Sequence, residues 1–153
     1  MQFHKKIRLN EEIYKQEYRI SSITICAIDK KNIFISDGLN SAIINLIKEH
    51  AKKYNIFVYA YCLMPDHLHL LIVPSKDKSI IDFIREIKSL STKIAWKKGF
   101  SGSIWQRSFY DHFVRKEENI EKVVEYILNN PVRKGLSETQ KEYKYMGSLI
   151  YNM

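Results

Sequence analysis

Cysteine is scarce, with only Cys26 and Cys62 among 153 residues. Each sits in an apolar run where a thiol behaves as a small hydrophobe, so neither a disulfide framework nor a cysteine-rich zinc site is suggested. A reducing compartment suits such a chain. Proline and glycine are also few, at three and five residues, and no internal repeat, Pro-rich linker or low-complexity block divides the sequence. One domain over residues 1–153 is therefore expected. Long apolar runs are missing too: Ile56 to Pro65 is about half of the roughly 20 residues a membrane-spanning helix requires. The basic start Lys5, Lys6, Arg8 lacks a following signal-peptide core. These absences predict a soluble, cytoplasmic protein with no membrane partner.

The hydrophobic share is 45%, enough for a core without disulfides. Lysine and arginine number 25 against 17 acidic residues, a formal charge of +8. That excess favours a polyanionic partner, and nucleic acid or an anionic surface would each satisfy it.

Periodicity predicts the elements. Ile20 to Ile28 is rich in β-branched residues and reads as a first strand. After Asp37 and Gly38, the residues Ile43, Leu46, Ile47 and Ala51 recur at helical spacing. Phe57 to Met64 and His67 to Val73 are apolar runs separated by Pro65 and Asp66, which predicts two antiparallel strands joined by a tight turn. Ser79, with Asp82 three residues on, resembles a capping box ahead of the amphipathic series Ile80, Phe83, Ile84, Ile87, Leu90, Ile94. Phe109 to Arg115 reads as a fourth strand. Ile120, Val123, Val124, Ile127 and Leu128 trace a last helix that Pro131 is expected to stop. The order βαββαβ plus a helix is that of an α+β ferredoxin-like sandwich, with an antiparallel sheet of four to five strands and helices on one face.

Several residues on this frame could carry chemistry. His67 and His69 flank Leu68, and alternation along a strand turns both imidazoles to one side. Such a pair can chelate one divalent ion, although two ordinary strand histidines give the same pattern. On the last helix, at roughly 100° per residue, Tyr126 and Asn130 project together from one flank of the apolar stripe. Tyr126 there is either a boundary aromatic or a hydroxyl facing a shallow site; Asn130 is a candidate helix C-cap. Tyr110 and His112 share a face of the fourth strand. Trp105 and Phe100, beside Arg107, Lys97 and Lys98, suit a stacking platform for an unpaired base, or Trp105 covers the core. Lys88, Lys93, Arg107, Arg115, Arg133 and Lys134 are candidate backbone contacts, each equally at home on a solvated face. Asp66 could orient an imidazole or serve only the turn.

Met64, Pro65, Asp66, His67, Leu68, His69, Leu70, Leu71 resembles the HUH motif, two histidines around a hydrophobic residue, of single-tyrosine transposases. Three further blocks are similar to the REP-associated tyrosine transposase group within the IS200-like transposases. They are Tyr18 to Phe34, then Trp105, Gln106, Arg107, Ser108, Phe109, Tyr110, Asp111, His112, and then Glu125, Tyr126, Ile127, Leu128, Asn129, Asn130, Pro131, Val132. Together the blocks span nearly the whole chain in family order. The resemblance implies the HUH endonuclease fold and cleavage of single-stranded DNA through a 5′-phosphotyrosine on Tyr126. It implies Mg²⁺ or Mn²⁺ on His67, His69 and Asn130, and a DNA hairpin near the cut. The DNA would lie over residues such as Lys93, Trp105, Arg107, Arg115 and Arg133. Enzymes of this kind include monomers and homodimers, and both remain open.

A phenol titrates at about pH 10 and is a weak nucleophile at neutrality, so the ion's expected part is to polarise and position the phosphate. Two other readings compete. A non-catalytic nucleic-acid-binding module would bind polynucleotide without regard to divalent metal. A relaxase or replication initiator with the same chemistry is disfavoured by the short chain and by the lack of a second tyrosine on the Tyr126 face.

Overall fold

The computed structural model describes residues 19–115 and 119–151. Lys5, Lys6, Arg8 and Tyr18, and the last two residues of the tail, lie outside them. The elements run β1 (Ser21–Cys26), α1 (Asp37–Tyr54), β2 (Phe57–Met64), β3 (His67–Val73), α2 (Ile80–Lys97), β4 (Tyr110–Phe113), α3 (Ile120–Leu128), α4 (Asn130–Arg133) and β5 (Met146–Gly147). The sheet is antiparallel throughout, in the order β4-β1-β3-β2-β5. This is the expected α+β architecture, with the histidine strand β3 at its centre.

Local chemistry sets the boundaries. Ser36 caps α1 by accepting from the Leu39 N–H at 3.4 Å, and Asn55 closes it in the left-handed conformation, φ 56°. Ser79 caps α2 as its spacing predicts, accepting from the Asp82 N–H at 3.1 Å. β1 is shorter than Ile20 to Ile28, because the chain leaves the sheet at Ala27, which bridges to Trp105, and enters a 3-10 turn at Ile28–Lys30. β4 is likewise shorter than Phe109 to Arg115, pairing with β1 only from Tyr110 to Phe113.

Two apolar layers cover the two sheet faces. Ile23, Ile25, Leu68, Leu70 and Ile72 pack under Ile43, Ile47, Phe83 and Ile87 of the long helices α1 and α2. Ala60, Cys62, Met64 and Leu71 on the other face pack against Val123, Val124, Ile127 and Leu128 of α3. The expectation of helices on one face thus holds for α1 and α2 and is corrected for α3. A register shift between Val58 and Ala60 keeps Val58 in the α1 and α2 layer with Tyr61 and Leu63, where strict alternation would turn it to the α3 side. The C-terminal tail returns as β5 against Tyr61 and Cys62. Among the described residues no helix is long and apolar enough to cross a membrane.

Candidate active site

β3 pairs with β1 and β2 in a register that sets Thr24 and Cys62 opposite His69, and Cys26 and Met64 opposite His67. Directly opposed residues share a face, so these side chains stand on the α3 side, with Leu71. β4 adds Tyr110 opposite Thr24 and His112 opposite Ser22. The shared face foreseen for Tyr110 and His112 is therefore also the face of the histidine pair.

Each imidazole is held differently. The Asp66 carboxylate accepts from His67 Nδ1 at 2.8 Å, which leaves Nε2 as the lone-pair nitrogen. The Asn130 amide donates to that Nε2 at 3.1 Å. His69 Nε2 lies 3.1 Å from Ser22 Oγ, a partner that the sequence did not suggest because strand register is not visible in it. Burial, followed by the neighbouring His67 and Arg133, depresses His69 to about 3, so its ring is neutral at pH 7.

The last helix does not simply stop at Pro131. After α3 the chain kinks at Asn129 and resumes as α4, with proline in its first turn, where no N–H is needed. The kink turns the buried Asn130 inward to His67 instead of leaving it as a C-cap. Tyr126, one turn earlier, is 41% exposed at the border of core and solvent. The Arg133 guanidinium sits 3.9 Å from the centre of the Tyr126 ring. It also donates to the Tyr126 carbonyl at 2.7 Å and, longer at 3.5 Å, to Asn130 Oδ1. His67, Asn130, Arg133 and Tyr126 thus form a continuous chain of contacts. Tyr126 does not, however, line the cleft beside His67, whose walls include Thr24, Cys26, Asp66 and His67.

The donors suit a divalent ion. His67 turns Nε2 to the site, the His69 ring is uncharged, and a half-turn of the Asn130 amide would present its oxygen where its nitrogen now meets His67. His69 would have to bind through Nδ1 or release Ser22. Among the described residues no three His, Cys, Asp or Glu side chains gather into a metal cluster, so the third donor would be this amide.

The candidate DNA contacts divide. Trp105 is corrected: it is 4% exposed, its indole N–H donates to Ser91 Oγ at 2.8 Å, and its ring lies 4.6 Å from that of Phe34, so it is a core residue. Burial against β1 wins because the segment joins Ala27 by a bridge. The exposed indole is Trp96, at 51%, in a shallow groove with Lys93 and Arg107. Its position off the α2 apolar stripe was the overlooked signal. Arg115 is exposed at the end of β4.

Comparison with known proteins agrees with this fold. A Haemophilus influenzae protein assigned by name to the REP-associated tyrosine transposases is 29% identical over 133 residues, 80% of this chain and 75% of that protein. A REP-associated tyrosine transposase of Escherichia coli is 31% identical over 98 residues, 63% of this chain and 54% of its own. The solved structure of a REP-associated tyrosine transposase bound to a REP hairpin superposes with a TM-score of 0.70 at 20% identity, covering 87% of this chain and 78% of that one. The family described as "Transposase IS200 like" matches residues 12–130. The chain belongs to the IS200-like transposases, a family of DNA-cleaving enzymes.

Proposed function

We propose that the protein cuts single-stranded DNA and rejoins it to another end, with Tyr126 as the attacking group. The observation that carries this reading is the 3.1 Å contact of Asn130 with His67, which docks the tyrosine helix on the histidine strand. The similarity to an enzyme bound to a REP hairpin supports a substrate with a hairpin near the cut.

In the reaction the Tyr126 oxygen attacks phosphorus and the bond to the 3′-oxygen breaks. The phenolic proton passes to solvent, and the departing oxygen takes one up as a 3′-hydroxyl. The strand remains attached as a 5′-phosphotyrosine, and attack by another 3′-hydroxyl reverses the step. Because the phosphodiester energy is kept in the covalent link, no nucleotide triphosphate is needed. Mg²⁺ or Mn²⁺, when held by His67, His69 and Asn130, supplies positive charge that polarises the scissile phosphate. Asp66 fixes the His67 tautomer so that Nε2 faces the site. Burial keeps His69 uncharged and able to donate a lone pair. Arg133 restrains the Tyr126 ring by stacking on it and brings a cation to where phosphate must arrive.

Incubating the protein with a hairpin-bearing single strand and Mg²⁺ should give a covalent adduct on a denaturing gel. Tyr126→Phe should abolish the adduct while leaving the fold intact, since the side chain is exposed. An adduct that persists rules Tyr126 out; strand binding indifferent to metal and without any adduct would favour a non-catalytic module.

A further inference from the structure

The cleft beside His67 has a volume of about 360 Å³ and is lined by residues from four places. Thr24 and Cys26 come from β1, Met64 to His67 from the β2–β3 turn, and Lys134 and Leu136 from beyond α4. Lys30 and Asn32 reach it from the loop after β1. Lys30 thus reaches the cleft from the loop after β1, and Lys134 from the segment after α4, whose Asn130 meets His67. Both lysines are exposed, and neither makes an ion pair among the described residues. The one carboxylate in the lining, Asp66, is engaged by His67. Charge in the cleft is therefore positive and unspent.

Both lysines are also held in place by the backbone. The Lys134 N–H bonds to the Asn130 carbonyl at 3.0 Å, tying it to the residue that meets His67. The Lys30 N–H bonds to the Ala27 carbonyl at 3.0 Å, and the loop is pinned to the histidine turn by Ala27 N–H to Asp66 at 2.8 Å and Phe34 N–H to Pro65 at 3.0 Å. Asp29 and Lys30 both adopt φ 53°, a pair of left-handed non-glycine residues that the surrounding bonds must hold in place. Thr24 Oγ1, on the same wall, has no hydrogen-bond partner among the described residues.

We propose that Lys30 and Lys134 form a two-point phosphate clamp, seating the backbone of one nucleotide adjacent to the cut in the cleft beside His67. Met64, Pro65 and Leu136 supply the apolar wall for its sugar or base. The ligand class is the phosphodiester backbone of a single strand. The clamp rests on the proposed cleavage reaction and adds the residues that aim the strand; they are positioning residues and touch no reacting atom.

The test uses the full chain carrying Tyr126→Phe, so that binding is read without cleavage, and a hairpin-bearing single strand titrated from 50 to 200 mM salt. Each lysine–phosphate contact to a single strand contributes about 0.7 to the slope of log affinity against log salt. Lys30→Asn with Lys134→Gln should therefore flatten the slope by about 1.4, which is roughly a sevenfold smaller loss of affinity over that range. Asparagine is chosen at position 30 because it tolerates the left-handed backbone. Lys52→Gln, on the exposed side of α1, should leave the slope unchanged, and all melting temperatures should match. With Tyr126 restored, the double variant should need more DNA for half-maximal adduct formation yet reach the same saturated rate. An unchanged slope, or an equal change in Lys52→Gln, overturns the clamp alone. A parent that neither binds the strand nor forms an adduct overturns the cleavage reading with it.

Discussion

The Asn130 side chain meets His67 Nε2 at 3.1 Å across 63 residues of sequence. This contact joins the last helix to the central strand at the point where the proposed chemistry occurs. Asn130→Ala removes it and leaves the His67 lone pair without a neighbour. Mn²⁺ affinity, read by calorimetry, should fall about 10- to 100-fold, the range for groups that hold or orient a ligand. The stability cost should be small, about 1 kcal/mol for one hydrogen bond. Unaltered metal affinity would remove Asn130 from the site.

His69 predicts how stability responds to acid. Its folded value, about 3, lies below the ordinary 6.5, so the unfolded chain binds the proton more tightly. The contribution is present above about pH 6.5 and is lost as pH falls from there toward about 3. By pH 5, without metal, up to about 2 kcal/mol should be gone at about 1.4 kcal/mol per pH unit. Urea denaturation of His69→Gln should show a flatter dependence between pH 7 and pH 5. Parallel curves for the two proteins would contradict the buried neutral ring.

The buried tryptophan and the exposed groove beside Trp96 should respond differently to substitution. Trp105→Ala opens a cavity against Phe34 and strips Ser91 of its indole donor, which should cost about 3–5 kcal/mol in chemical denaturation. Lys93→Gln and Arg107→Gln, on the exposed groove with Trp96, should change stability by less than about 0.5 kcal/mol. If Trp105→Ala proved neutral, the assignment of that ring to the core would be wrong.

Gly147 lies where β5 crosses Tyr61, and a β-carbon there would stand 2.8 Å from the Tyr61 hydroxyl oxygen. Gly147→Ala should destabilise the protein by about 1–3 kcal/mol, the usual range for overpacking. The double change with Tyr61→Phe, which removes that oxygen, should recover part of the loss in thermal melts. No recovery would place the strain elsewhere.

The amino-acid sequence by itself determined the element order and the strand alternation that turns His67 and His69 to one side. It also determined the Ser79 cap and the family blocks that point to Tyr126. These are set by neighbours a few residues apart, where periodicity and capping act. Tertiary structure alone decided that Ser22 would meet His69, that Asn130 would turn inward past the Asn129 kink, that Trp105 would be buried and that Lys30 and Lys134 would flank one cleft. Each of those depends on strand register or on helix placement across the sheet. Such choices are made by packing between residues far apart in the chain, and local pattern carries no record of them.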